Sequence, residues 1–362
     1  ASVAAGYQTS TQGAYSVAVG YQSSTTGDYS FAGGQNSQAG GQWSFVYGLN
    51  QNSVGGQGRK RAVSDSGADF SIVIGNGTLA AAGANGAAVF GQGNTAEGPY
   101  TLVAGSDNVA VGTNSVALGG STISEGDYST SLGLLTDAQA FASVALGRCN
   151  IPEGSNNVWF NNETIFAVGN GDYNGVDCTS HSDAFDIYKD GGFAGFGSYQ
   201  SVPCSLSAQE SGPGTRAEWI PCLAAFRAGQ VTGTQWDIAK IGDHSVAFGF
   251  DTRATHSYSS AFGKSTTASG VSSFAAGSSS DASADSSTAF GSKTTASADY
   301  SFAAGHETTA SGEASTAFGF QTGSSGDYSF VSGHAATTTG YAAAVFGFQA
   351  SSTGAYSFVS GH

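Results

Sequence analysis

Few side chains in this 362-residue chain have types and spacing suited to chemistry. His181, Asp183 and Asp186 stand close enough in sequence to be drawn as a metal or acid–base cluster. In a turn-rich stretch the plainer expectation is surface polarity. Four cysteines, Cys149, Cys178, Cys204 and Cys222, are widely separated and include no CxxC pair. That spacing argues against zinc and against a thioredoxin-type motif. An even count suits disulfides in an oxidising compartment, and three pairings remain open. His306, His334 and His362 recur at equal intervals and at one phase. Stacked in a bundle, they would charge together near the pH where imidazole titrates. Aromatic residues recur at another phase: Tyr15, Tyr29, Trp43, Tyr100, Tyr128, Tyr258, Tyr300, Tyr328 and Tyr356. Asp precedes Tyr29, Tyr128, Tyr300 and Tyr328. An aromatic ladder beside acids and hydroxyls stacks sugar rings. The candidate ligand-binding residues are therefore Tyr258, Tyr300, Tyr328 and Tyr356, and the competing role for each tyrosine is to brace a corner. No catalytic motif survives. The expectation is a protein that is not an enzyme, with no cofactor and no metal.

Composition narrows the class. The chain has 55 glycines, no Met, 5 Pro and only 10% charged residues, against a usual ~25% charged. Collagen needs Gly at every third position, which is absent. Disorder is disfavoured by 23 Phe, 15 Tyr and 4 Trp. A net charge of −15 disfavours nucleic acid and anionic lipid as partners. No apolar run approaches the ~18 residues of a membrane span, so direct membrane insertion is not expected. The N-terminus carries no signal-peptide pattern.

The elements that must position these residues follow from a repeat. Short apolar runs end in a marker glycine at 6, 20, 34 and 48, then at 75, 91, 105, 119, 133 and 147. The markers resume at 249, 263, 277, 291, 305, 319, 333, 347 and 361. Within each block the period is fourteen, except for the longer step from Gly75 to Gly91. Midway between most markers stands a second small residue, usually Gly. Two turns per period leave two short strands, which is one coil of a β-solenoid. Coils stack at ~4.8 Å, the spacing between paired strands. Along the C-terminal strands, the positions one and three before the marker trade sizes from coil to coil, as in Ser260/Phe262, Phe274/Ala276 and Thr288/Phe290. Interdigitating rings have the density of a core, so the Phe face is assigned to the lumen and the Ala/Val face to the outside. Periodicity alone also allows the reverse.

The runs Ser2-Val3-Ala4-Ala5-Gly6, Ser115-Val116-Ala117-Leu118-Gly119 and Ser143-Val144-Ala145-Leu146-Gly147 resemble the head repeats of YadA-type trimeric autotransporter adhesins. The Tyr-Ser-Phe form at Tyr29, Tyr300 and Tyr328 resembles a relative of that repeat found in fibres of phages and large DNA viruses. The resemblance implies a left-handed parallel β-roll, a homotrimer and a surface-binding fibre. No heptad stalk and no membrane β-barrel segment accompanies the repeats. The runs 164–171 and 182–191 look more like the post-repeat region of phage and virus fibres, which favours a virion over a bacterial surface.

The expected organisation is all-β. Residues 1–48, 75–147 and 244–362 are β-roll repeats. Residues 49–74 are a loop insert with the basic cluster Arg59-Lys60-Arg61, and residues 148–243 are a small β insert domain holding every cysteine. Both ends cut through a coil, which suggests a segment of a longer or processed protein. The expected function is a non-enzymatic, extracellular, homotrimeric fibre that attaches to a host receptor or glycan. The competing reading is an ice-binding or purely structural solenoid, although the threonines are too irregular for a flat ice-binding ladder.

Overall fold

The structure is a computed structural model that describes residues 1–49, 63–197 and 212–361. It divides into two compact units, Ala1–Phe196 and Gly197–His362. Each is a β-solenoid. A coil pairs a five-residue strand, such as Val17–Tyr21, with a two-residue strand, such as Ser24–Thr25. The long strands stack parallel and in register, so that Gly6 faces Gly20 and Gly20 faces Gly34. In the first unit the long strands make a 13-stranded sheet and the short ones a nine-stranded sheet; in the second unit the two sheets have 11 and eight strands.

The marker glycine does not sit at a turn. It is the fourth residue of the long strand, as Gly20 is in Val17–Tyr21. Gly277 shows why glycine is required there. Its φ is +115°, and a Cβ would lie 1.9 Å from the backbone oxygen of Gly291 in the next coil. The corners fall two residues after the marker and five before it. At both places non-glycine residues adopt left-handed φ values near +50° to +60°, including Gln22, Asn36, Tyr29 and Tyr300.

The lumen is lined by small residues. In the coil of Gly20, Ser16, Ala18, Ser23 and Thr25 are all 0% exposed. The serine and threonine hydroxyls there are bonded within the lumen: Ser16 Oγ donates to the Gly13 carbonyl at 2.7 Å, and Thr25 Oγ1 to Ser16 Oγ at 2.9 Å. The Phe face is outside, which corrects the sequence assignment. Phe274, Phe290, Phe302, Phe318 and Phe330 are 37–57% exposed, whereas Ala275, Ala289 and Ala303 are fully buried. The physical reason is size. Two short sheets closed over a single period leave room for methyl groups and hydroxyls but not for rings. The alternation of large and small survives on the outer face, where Ser260 lies beside Phe274 and Phe262 beside Ala276.

The stretch 148–243 is shared between the two units. Strand Thr164–Asn170 extends the first parallel sheet, with Gly169 in register with Gly147. Asp183–Tyr188 and Phe193–Gly195 then close that sheet antiparallel. In the second unit, the hairpin Gly214–Ile220/Ala225–Val231 opens the sheet, with Gly229 in register with Gly249. Gly169 and Gly229 are therefore two more markers, hidden by longer connections. Of 49–74, residues 63–74 belong to the array: Val63–Ser64 pairs with Gln38–Ala39 and with Leu79–Ala80. Arg59, Lys60 and Arg61 lie outside the described residues.

Candidate functional site

The aromatic phase of the sequence falls on one corner of the coil. Tyr258, Tyr300, Tyr328 and Tyr356 hold left-handed φ values of 56–62° and are 54–78% exposed. A non-glycine residue in that conformation costs roughly 1–2 kcal/mol. The corner is held by backbone bonds between coils. The Tyr328 N–H donates to the Glu313 carbonyl at 2.8 Å, and the Tyr356 N–H to that of Tyr341 at 2.8 Å. Bracing through the ring is not what fixes it, since Ala314 and Ala342 adopt the same φ at equivalent corners.

The rings meet in two ways. In the first unit, consecutive aromatic corners stack, Tyr15–Tyr29 at 5.2 Å, Tyr29–Trp43 at 4.3 Å and Trp43–Phe70 at 6.4 Å, while Phe141 stands edge-on to Tyr128 at 5.6 Å. Phe70 was not picked out from sequence, although it stands five residues before Gly75. Neither was His244, five before Gly249, whose ring stacks on Tyr258 at 5.1 Å. In the second unit the corner tyrosines are not consecutive, and smaller residues separate them. Tyr341 reaches in from the neighbouring position and stands edge-on, 5.5 Å from both Tyr328 and Tyr356.

The aspartates beside the tyrosines have a structural task that sequence could not show. Asp28 Oδ1 accepts from the Ala14 N–H at 2.7 Å, Asp127 from Thr113 at 2.7 Å, Asp299 from Asp285 at 3.1 Å and Asp327 from Glu313 at 2.9 Å. Each ties a corner amide one coil back through one oxygen of its carboxylate.

His306 and His334 lie on the outer face of the long strands. They alternate with Phe320 and Phe348 in a continuous stack with ring separations of 4.8–4.9 Å. His362 lies outside the described residues.

The cluster His181, Asp183 and Asp186 is not surface polarity. Asp183 and Asp186 are each 5% exposed, at the closing end of the first unit, while His181 is exposed. Asp186 lies opposite Ala167, and its Oδ1 has no hydrogen-bond partner. Burial, aided by the charges of Asp183 and Glu153, pushes its carboxyl up to about 6. Asp137, close by in the same unit, is pushed up to about 7 by burial and by Glu125. Among the described residues, no three His, Cys, Asp or Glu side chains are gathered as metal ligands. A pocket of about 230 Å³ opens beside Asp137, Cys178 and His181.

Of the three disulfide pairings left open, Cys149–Cys178 is formed, with Cα atoms 5.7 Å apart. Cys222 is also disulfide-bonded, and Cys204 lies outside the described residues. The second unit opens on a buried cation. Arg227 occupies a lumen position, is 0% exposed, and donates to the carbonyls of Phe226, Ser245 and Ala254 and to Ser245 Oγ. Burial lowers its pKa to about 10.

Comparison with known proteins adds one match. The family profile of the YadA head domain repeat matches residues 1–23, 12–37, 110–135, 241–266, 268–294, 282–308, 296–322 and 310–336. A search of curated proteins returns no match.

Proposed function

We propose, for a chain that belongs to the YadA head-repeat family, the role of a non-enzymatic attachment fibre: three copies side by side on the surface of a virion or cell. The observation that carries this reading is the outer face of the long strands. In the second unit Phe274, Phe290, Phe302, Phe318, Phe330 and Phe346 run up one face at 37–57% exposure, with the His306–Phe348 stack alongside. A soluble chain on its own rarely leaves so long an apolar column in water. Two further copies of the same face would cover it, and rotational symmetry suits an interface that every copy repeats. The aromatic corners would then face outward, towards a host receptor or glycan.

The native mass tests this reading. Three times the chain mass of 36.1 kDa is the expected value, and a stable monomer of full solubility overturns it. An ice-binding face would need a regular outward threonine array. Thr266, Thr294 and Thr308 instead point into the lumen at 0% exposure. The outward column Thr267, Asp281, Thr295, Thr309 and Gly323 is interrupted twice. The expected thermal hysteresis is zero.

A further inference from the structure

Between Tyr300 and Tyr328 the aromatic corner ladder of the second unit lacks a rung, and the chain itself displays what fits there. Tyr300 and Tyr328 hold equivalent corners two coils apart. Consecutive coils place corner rings about a strand spacing apart, as with Tyr15 and Tyr29 at 5.2 Å. Two coils therefore separate Tyr300 from Tyr328 by ~9.6 Å. The coil between them carries Ala314 at the corner and Glu313 just before it. Two coils on, the same gap is filled from within. Tyr341 holds the position equivalent to Glu313, and its ring stands midway between Tyr328 and Tyr356 at 68° and 71° to them. A ring held edge-on between two tyrosines is thus a packing that this scaffold already makes, at a separation favoured by aromatic pairs. The Tyr300–Tyr328 gap has the same walls without the ring, and those walls are 65% and 54% exposed.

A carboxylate replaces the ring. Glu313 lies close enough for its charge to push the Tyr328 phenol upward. Its backbone is fixed at both ends, by Asp327 Oδ1 on its N–H and by the Tyr328 N–H on its carbonyl. Asp299 precedes the other wall. The gap is therefore bounded by tyrosines above and below, with the exposed, negative Glu313 at the position from which Tyr341 fills its own gap. A saturated ring can lay its C–H faces on the tyrosines, and a cationic nitrogen on that ring is drawn both to the carboxylate and to the aromatic faces. In the first unit, Tyr100 and Tyr128 bracket a similar gap, but Thr113 stands where Glu313 does, so the acid at that place is missing.

We propose that Tyr300, Tyr328 and Glu313 form a subsite for one sugar ring bearing a free amine, a hexosamine unit of a larger glycan. The proposal rests on the reading of the aromatic corners as the glycan-facing surface. The probe is a glucosamine oligosaccharide, titrated calorimetrically into the full chain and compared with its N-acetylated counterpart. The amine form is expected to bind more tightly and to weaken as salt rises. Glu313→Gln should cost about tenfold in affinity, the loss of one charge-assisted contact, and Tyr300→Ala or Tyr328→Ala at least as much. Glu313→Tyr should abolish binding by filling the gap as Tyr341 fills its own, in a coil that the sequence already shows to be foldable. Tyr341→Glu should open a second gap and raise the stoichiometry. Equal binding of the N-acetylated form, still dependent on Tyr300 and Tyr328, would overturn the charge inference and leave the glycan-facing ladder standing. Binding of the amine form that ignores Glu313→Tyr would overturn the location. Binding of neither form would overturn the subsite together with the glycan-facing reading, while the native mass would still decide the fibre.

Discussion

At Gly277 the stacked backbones leave no space for a side chain. Gly277→Ala places a methyl 1.9 Å from the Gly291 oxygen, on a φ of +115°. The expected loss exceeds ~2 kcal/mol in chemical denaturation. Gly323 is the control: its added methyl would meet only Thr337 Cγ2 at 3.6 Å, so Gly323→Ala should stay within ~0.5 kcal/mol of the parent. Matching losses at the two positions would refute the packing argument. Arg227 is the other residue whose role comes from its surroundings. It takes the lumen position that Ala247 and Ala261 hold in the following coils, and it adds a second donor to the Ser245 and Ala254 carbonyls, which also accept the Phe226 and Gly242 N–H groups. Arg227→Ala should cost about 1–3 kcal/mol through the loss of its hydrogen bonds in the lumen, read as a lower denaturation midpoint of the second unit. A change below ~1 kcal/mol would mean that the lumen end is closed by something else.

At the scale of elements, the ends of the solenoids do the work that repeats cannot do for themselves. A parallel stack presents an open edge at each end, which invites further strands. The first unit closes its sheet with the antiparallel strands Asp183–Tyr188 and Phe193–Gly195. Acids are buried in and beside this closure, and they make it pH-sensitive. The pKa of Asp137 rises from 3.8 to about 7 and that of Asp186 from 3.8 to about 6. Between those values the folded state holds protons that the unfolded state has lost, so stability falls as pH rises through this window and levels off above it. Hydrogen exchange at the amides of Asp183–Tyr188, corrected for intrinsic rate, should therefore quicken from about pH 4 to about pH 7. In Asp137→Asn/Asp186→Asn that added dependence should shrink to the share left by Asp183, whose carboxyl burial also raises. An unchanged slope in the double variant would place the titration elsewhere.

For the whole molecule the decisive surface is the outer Phe column. Phe290 and Phe318 are 57% and 54% exposed, so acidic residues there should leave a single chain folded. Phe290→Asp/Phe318→Asp is expected to yield soluble monomer with unchanged circular dichroism, because three copies would have to bury six unpaired carboxylates. A trimer that survives both substitutions would place the interface on another face. The repeat, its strands and its all-β class were legible because Gly, Ala and Phe recur at fixed phases. Gly169 and Gly229 escaped notice because their connections are longer than one period, and because Arg227 stands where a small residue was expected. The aromatic corners were legible as a phase. What they touch was not: Phe70 and His244 extend the ladder at its own phase, and Tyr341 enters it from the neighbouring position.

Sequence by itself determined the period, the all-β class and the phases at which glycine and the aromatics recur, because each of these is a local pattern repeated many times. The tertiary structure decided which face is inside, which acids are buried, and which gap between corner rings is filled. Those outcomes depend on the volume enclosed by a single coil and on neighbours one or two coils away. Alternation of side chains says only that two faces differ. The width of the lumen decides that methyl groups and hydroxyls go in and that the phenyl rings stay out.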